Sequence, residues 1–277
     1  MTERVIALID GSDYARSTCD HAAWVAKRSG IGVELLHVIP PAKVKSDLSG
    51  AIRLGARSAL LAELSELDET RSKLASRHGR AILEDAAEIV RAGGVEDVQQ
   101  RLRHGDLVET VAEIEPEARL ILIGKRGEND GGAQGGLGSN LERVVRAAKR
   151  PVLVSSRTFT PVERVLLVWD GGAAAGRALE RIATLPFYRG LFVQVTSVGE
   201  RDGQQAAVVR LREAGVDAKA MRLDDPQDGA MAGEVVAGNF QMVVTGAYRH
   251  SPLRHLMVGS TTDALIRDCK VPLLLVR

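Results

Sequence analysis

The residues best placed to do chemistry lie between positions 124 and 140. Gly124, Lys125, Arg126 and Gly127 follow a short apolar run, and residues 128 to 137 lead on to Gly138, Ser139 and Asn140 at the start of a helical pattern. Glycines leave backbone N–H groups open to close approach, and a helix start adds unpaired N–H groups and a positive dipole end. Lys125 and Arg126 add full positive charge. Together these features suit an anionic group, a phosphate above all. An architectural role competes with that reading. Ser139 to Glu142 spells an S-x-x-E capping box and Ser260 to Asp263 repeats it with a shorter acid, so each hydroxyl can simply close a helix, an effect worth about 1 kcal/mol.

Two acids, Asp10 and Asp170, each end an apolar run. A carboxylate there either accepts a backbone hydrogen bond or helps to hold Mg²⁺ beside phosphates. Two familiar phosphate loops are missing: the chain has no G-x-x-x-x-G-K-[ST] and no G-x-G-x-x-G. His21, His37, His78, His104, His250 and His255 show no H-E-x-x-H spacing, and neither paired carboxylates nor a Walker-type acid stand out for hydrolysis. The sequence therefore predicts no catalytic residue and no protein-ligated metal site.

The elements that must position these residues emerge from an internal repeat. RVIALIDGS at residues 4 to 12 returns as RVLLVWDGG at 164 to 172, and the run ending at Gly124 returns as the run ending at Gly246. Gly138-Ser139 returns as Gly259-Ser260, and Pro151 as Pro272. The order of landmarks is kept, which marks a duplicated domain with its boundary at Thr158 to Glu163, giving halves of residues 1–158 and 159–277. The second copy is shorter between its first and fourth strands. In the first copy that region carries an added charged helical pattern after VELLHVIP, read first as a solvated helix and second as a lid over a ligand.

Apolar runs near residues 4–10, 33–39, 97–103, 119–124 and 151–155 alternate with helical patterns. That alternation predicts an α/β fold of two tandem doubly wound domains, each a five-stranded parallel sheet with helices on both faces. Ligands of such sheets sit beyond the carboxyl ends of the strands, where the winding reverses. With strand order 3-2-1-4-5, Asp10 and Gly124 become neighbours there.

Bulk properties exclude several other classes. Among 277 residues, 37 Lys plus Arg oppose 36 Asp plus Glu, a net charge of +1, so nothing drives general binding to nucleic acid or membrane. No apolar stretch approaches transmembrane length and no cationic leader pattern opens the chain, so a soluble cytoplasmic protein is expected. An apolar content of 45% with only 3% aromatics describes a Val, Ile, Leu and Ala core, suited to parallel strands buried on both faces. Cys19 and Cys269 have neither metal spacing nor a disulfide framework and are expected as buried thiols.

With these residues in view, the chain resembles the universal stress proteins in their tandem-domain form. The likeness spans essentially the whole chain and rests on Asp10-Gly11-Ser12, HVIP at 37 to 40, the loop from Gly124 to Ser139, and RPVLV at strand five. It implies the strand order 3-2-1-4-5, with strand five pairing between the halves or across a homodimer. It also implies an ATP or other adenine-nucleotide site in which the loop through Asn140 holds phosphates and ribose. Asp10 would then face the adenosine, and backbone groups at Val38 and Ile39 would meet the adenine.

Both copies depart from the G-x2-G-x9-G-[ST] pattern of nucleotide-binding members. Residues 128 to 137 insert one position more than the pattern, and Arg249 replaces the second glycine of the second half. The expectation is a nucleotide in the first half and a degenerate second half, whose remaining counterparts are Asp170, Gly246, Gly259 and Ser260. Gly172 in place of Ser12 points the same way. The leading function is thus an ATP-binding stress-response regulator with little or no hydrolysis, read by an unidentified protein partner. The alternative is a nucleotide-independent scaffold or small-ligand-binding stress protein. An adenylating or electron-transfer enzyme ranks third, because DGSDYA after strand one is not the S-G-G-x-D-S type loop that adenylation requires.

Overall fold

Strands form where Val, Ile and Leu follow one another, because such side chains fit a pleated surface covered on both faces. The computed structural model describes residues 3–41, 54–127, 138–224, 229–246 and 265–277. In the first half β1 is Arg4–Leu8, β2 Val33–Ile39, β3 Val98–His104, β4 Ala118–Gly124 and β5 Val152–Ser155. In the second, β6 is Arg164–Val168, β7 Phe192–Val198, β8 Asp217–Leu223, β9 Met242–Gly246 and β10 Leu273–Val276. The helices are α1 Ala15–Ser29, α2 Leu54–Ala92, α3 Leu107–Ile114, α4 Ser139–Ala147, α5 Ala173–Thr184, α6 Gln204–Glu213 and α7 Ala230–Ala237, with residues 265–268 also helical.

All ten strands join in one sheet of order β3-β2-β1-β4-β5-β10-β9-β6-β7-β8. Each half thus has the order 3-2-1-4-5, and the halves meet through their fifth strands. That meeting is antiparallel, with Leu273 opposite Val154 and Leu274 opposite Leu153, whereas the pairs within each half are parallel. The carboxyl ends of the two parallel sets consequently point to opposite edges of the sheet. At the outer edges β3 carries Arg101 and Arg103, and β8 carries Lys219 and Arg222, charges that discourage further strand pairing.

One face is covered by α1, α2, α5 and α6, which contribute Ala22, Leu83, Ile182 and Leu211 to its core. The other is covered by α3, α4, α7 and residues 265–268, which contribute Val111, Val144, Val235 and Ile266. Both cores run through both halves. Polar ties reinforce the junction. Lys125 Nζ donates to the carbonyls of Arg267 and Cys269 at 2.6 and 3.2 Å, at the end of the last helix. Arg277 donates to the carbonyls of Val145 and Arg146 at the end of α4. Each half thereby caps a helix C-terminus of the other, where unpaired carbonyls favour a cation. Trp24 meets Phe187 edge to face at 4.7 Å, and Arg28 Nε donates to the Phe187 carbonyl at 2.7 Å.

The length difference between the copies is located: α2 has 39 residues, whereas α6, its counterpart, has 10. Both cysteines are buried, and burial pushes the thiols of Cys19 and Cys269 up to about 12 and about 11. His21 in α1 is fully buried; its Nδ1–H donates to the Ser17 carbonyl at 2.6 Å and its ring packs edge-on against Phe159 at the junction. Burial pulls its imidazole from the ordinary 6.5 down to about 4. The folded protein therefore resists protonation that the unfolded chain accepts, so this contribution is complete above pH 6.5 and is lost as the pH falls from 6.5 to about 4. Urea midpoints measured across that window should fall more steeply for the wild type than for His21→Leu.

Candidate functional site

A cleft of about 300 Å³ opens at the carboxyl edge of the first half, between the ends of β1, β2 and β4. It is the crevice at which the winding of a doubly wound sheet reverses. Asp10, Val38, Ile39, Gly124, Arg126, Gly127 and Asn140, predicted from positions far apart in the chain, all line it. Asp10 follows β1, and its Oδ1 accepts the Ser12 backbone N–H at 3.1 Å, an Asx turn that leads into α1. Val38 and Ile39 come from the end of β2. Next to them, His37 Nδ1–H donates to the Ile9 carbonyl at 2.8 Å and ties the ends of β1 and β2 into one floor.

The far wall belongs to α4. Its N-cap is Gly138, whose carbonyl accepts the Glu142 N–H at 3.1 Å, and Ser139 is its first helical residue. The helix therefore starts one position before the expected Ser139 cap, with Gly138, which has no side chain to accept a hydrogen bond, in the N-cap place. The first N–H groups of α4 have no partner within the helix, as at any helix start, and Asn140 and Leu141 of that first turn line the cleft. Gly138 itself is buried just before the helix.

Lys125 departs from its expected place. Its ammonium is committed to the carbonyls of the second half, and its pKa is lowered, chiefly by burial. Arg126 is the loop cation that lines the cleft. In the second half Asp170 repeats the Asp10 turn, with Oδ1 accepting the Gly172 N–H at 2.8 Å. Because β5 and β10 are antiparallel, Asp10 and Asp170 lie at opposite edges of the sheet. Residues 128–137, Arg249, Gly259 and Ser260 lie outside the described residues.

Three contributions escaped the sequence. Ala75 and His78 of α2 form part of the cleft wall. Asp106 lines it after β3 and caps α3, accepting the N–H groups of Val108 and Glu109 at 2.9 and 3.3 Å. Arg143 of α4 pairs with Asp106 at 2.6 Å and holds that carboxyl below its usual range. The aspartate before an apolar helical run was a readable cap signal. Its pairing with Arg143 depends on how α3 and α4 pack.

These features define a tandem doubly wound α/β protein with a cleft at a carboxyl edge of its sheet. The model of the universal stress protein family matches residues 1–156 and 191–277, and the chain belongs to that family. A universal stress protein of Synechocystis is 29% identical over 286 aligned residues, covering 99% of this chain and 100% of that one. One of Mycobacterium tuberculosis is 24% identical over 192 residues, 64% of this chain and 56% of the relative. The crystal structure of a universal stress protein from Archaeoglobus fulgidus superposes with a TM-score of 0.74 at 20% identity, covering 100% of this chain and 99% of that one, a likeness of fold.

The glycines that end β4 and β9 are required by packing, whatever else they do. A Cβ on Gly124 would lie 2.9 Å from Tyr14 Cβ, and one on Gly246 would lie 2.7 Å from Ala174 Cβ and 2.9 Å from the backbone at the start of α5. Gly176, inside α5, has nothing within 4 Å of the same position. Gly124→Ala and Gly246→Ala should each destabilise by about 1–3 kcal/mol, and Gly176→Ala should stabilise by up to about 1 kcal/mol. Urea denaturation of the three variants checks the order.

Proposed function

We propose that the first half binds an adenine nucleotide, ATP above all, and that the protein is a stress-response regulator whose occupancy is read by a protein partner. The observation that carries the proposal is the convergence, in one cleft of about 300 Å³, of the Asp10 turn, the end of β2, the backbone at Gly124 to Gly127 and the first turn of α4. A volume at the lower end of small-molecule sites suits the nucleoside part of such a ligand, with phosphates extending toward the helix start and the glycine loop. Val38 and Ile39 offer backbone groups and apolar surface to a base. Arg126 offers a cation to phosphate. The acids lining this cleft among the described residues are Asp10 and Asp106. Asp106 pairs with Arg143, and Asp10, which lines the cleft together with Gly124 and Gly127, is the acid assigned to accompany Mg²⁺. The proposal is one of binding, and no residue is assigned to hydrolysis.

A second reading, a nucleotide-independent scaffold, draws on two observations. Gly124 and Gly246 have packing reasons to be glycine, and Lys125 is committed elsewhere. Calorimetric titration of nucleotide-stripped protein with ATP and Mg²⁺ separates the two. Heat is expected from the wild type, with Kd raised about tenfold or more, a loss of about 1.4 kcal/mol, by Gly138→Val and unchanged by Gly259→Val. No heat from the wild type would favour the scaffold, and heat lost only in Gly259→Val would move the site to the second half.

A further inference from the structure

Helix α2 does two different jobs along its length. Its C-terminal part packs on the sheet: Gly79 presses so closely on β2 that a Cβ there would come within 2.8 Å of His37 Cδ2, and Leu83 and Val90 are buried. Ser76 Oγ lies 3.2 Å from His104 Nε2 at the very end of β3. Upstream of that point the helix runs on past the carboxyl edge of the sheet, as an arm of residues 54–75 that is about 33 Å long at 1.5 Å per residue. Every residue from 63 to 74 is exposed.

The arm carries an apolar stripe. Leu64, Leu67 and Leu74 are 37%, 60% and 57% exposed, and on a helix they fall within an arc of about 80°. Helices in proteins draw most of their stability from packing an apolar face, and leucines at this spacing form the seam of a helix pair. From residue 63 to residue 80, downstream of Arg57, the charges are segregated. Glu63, Glu66, Asp68 and Glu69 come first, then Arg71, Lys73, Arg77 and Arg80. A parallel pair of such arms sets acid beside acid and base beside base. An antiparallel pair sets each acidic half beside a basic half, so the arm is complementary to its own reverse, as a twofold contact between identical chains requires.

We propose that the arm is a homodimerisation element, with two copies of this chain pairing their α2 arms antiparallel about an axis near Glu69. In that register Leu64 meets the partner's Leu74, and Glu63 lies beside the partner's Arg77. Within the helix Lys73 already pairs with Glu69 at 2.7 Å, which leaves the guanidinium side chains as the main cross-chain cations. The fifth strands already pair with each other inside one chain, so this route to a dimer is independent of the sheet. It also has a consequence for the cleft. The stripe continues through Ala75 and His78 into the cleft wall, so the tip of the partner's arm comes to the cleft mouth.

The test is sedimentation equilibrium of the full chain without nucleotide, which keeps its outcome separate from that of the proposed binding function. The wild type should be a concentration-dependent dimer, and Leu67→Glu combined with Leu74→Glu should be monomeric with unchanged circular dichroism. Glu63→Arg alone and Arg77→Glu alone should each weaken the dimer about tenfold or more through like-charge contacts, and the two together should restore it. A wild type that stays monomeric, a dimer that survives both leucine substitutions, or a failure of the double charge exchange to restore pairing would each overturn the proposal.

Discussion

The antiparallel pairing of β5 with β10 is the contact on which the rest of this molecule depends. A doubly wound domain of five parallel strands ends on a fifth strand whose N–H and C=O groups face outward, a template for unwanted pairing. Here the fifth strand of each copy satisfies the other through Val152, Leu153 and Val154 against Leu275, Leu274 and Leu273. The same contact lets both cores continue from one copy into the next. In a chain with only 3% aromatic residues, Trp24, Phe187 and Tyr188 gather where the copies meet, adding specific edge-to-face contacts to an otherwise aliphatic core. The two helix C-termini capped by Lys125 and Arg277 belong to the same junction.

The cleft inherits its shape from this frame. Parallel strands bring the ends of β1, β2 and β4 together at one edge, and the crossover helices supply the remaining walls. Gly124 illustrates how closely architecture and site are joined: its missing side chain lets Tyr14 approach at the start of α1, and the same backbone lines the cleft. Lys125, next in the chain, reaches across to the second half. A loop that touches both the cleft and the other domain is coupled to each by direct contact, with no intervening element.

Much of this was legible in the sequence, and for identifiable reasons. The strands were readable because continuous runs such as RVIALI and LILIG have no competing periodicity, and the duplication because acids, glycines and prolines recur in one order. Asp10, Val38, Ile39 and Gly124 could be expected at one edge because strand ends in this topology converge, and Asn140 because the helix after β4 starts at the same edge. What the sequence withheld depends on tertiary geometry. Nothing local says that Ala75 and His78 would fold back onto the end of β2, since that follows from where Gly79 docks. Lys125 was misplaced because a lysine beside glycines reads as a ligand for anions until the carbonyls of a distant helix are seen to claim it. The Ser139 cap was displaced by one residue because Gly138 can end a loop as readily as serine can.

Placing two copies in one chain also changes what variation can do. In an assembly of two identical subunits, any altered residue is altered twice, and a substitution that spoils one cleft spoils its twin. Here Asp10 and Asp170 sit at opposite edges of one covalent sheet, each in its own turn. Arg249 can replace a glycine in one copy while Gly127 stays in the other, and α2 can lengthen to 39 residues while α6 keeps 10. The shared sheet preserves the symmetry of the scaffold, and the fused chain frees each copy to drift toward a separate task.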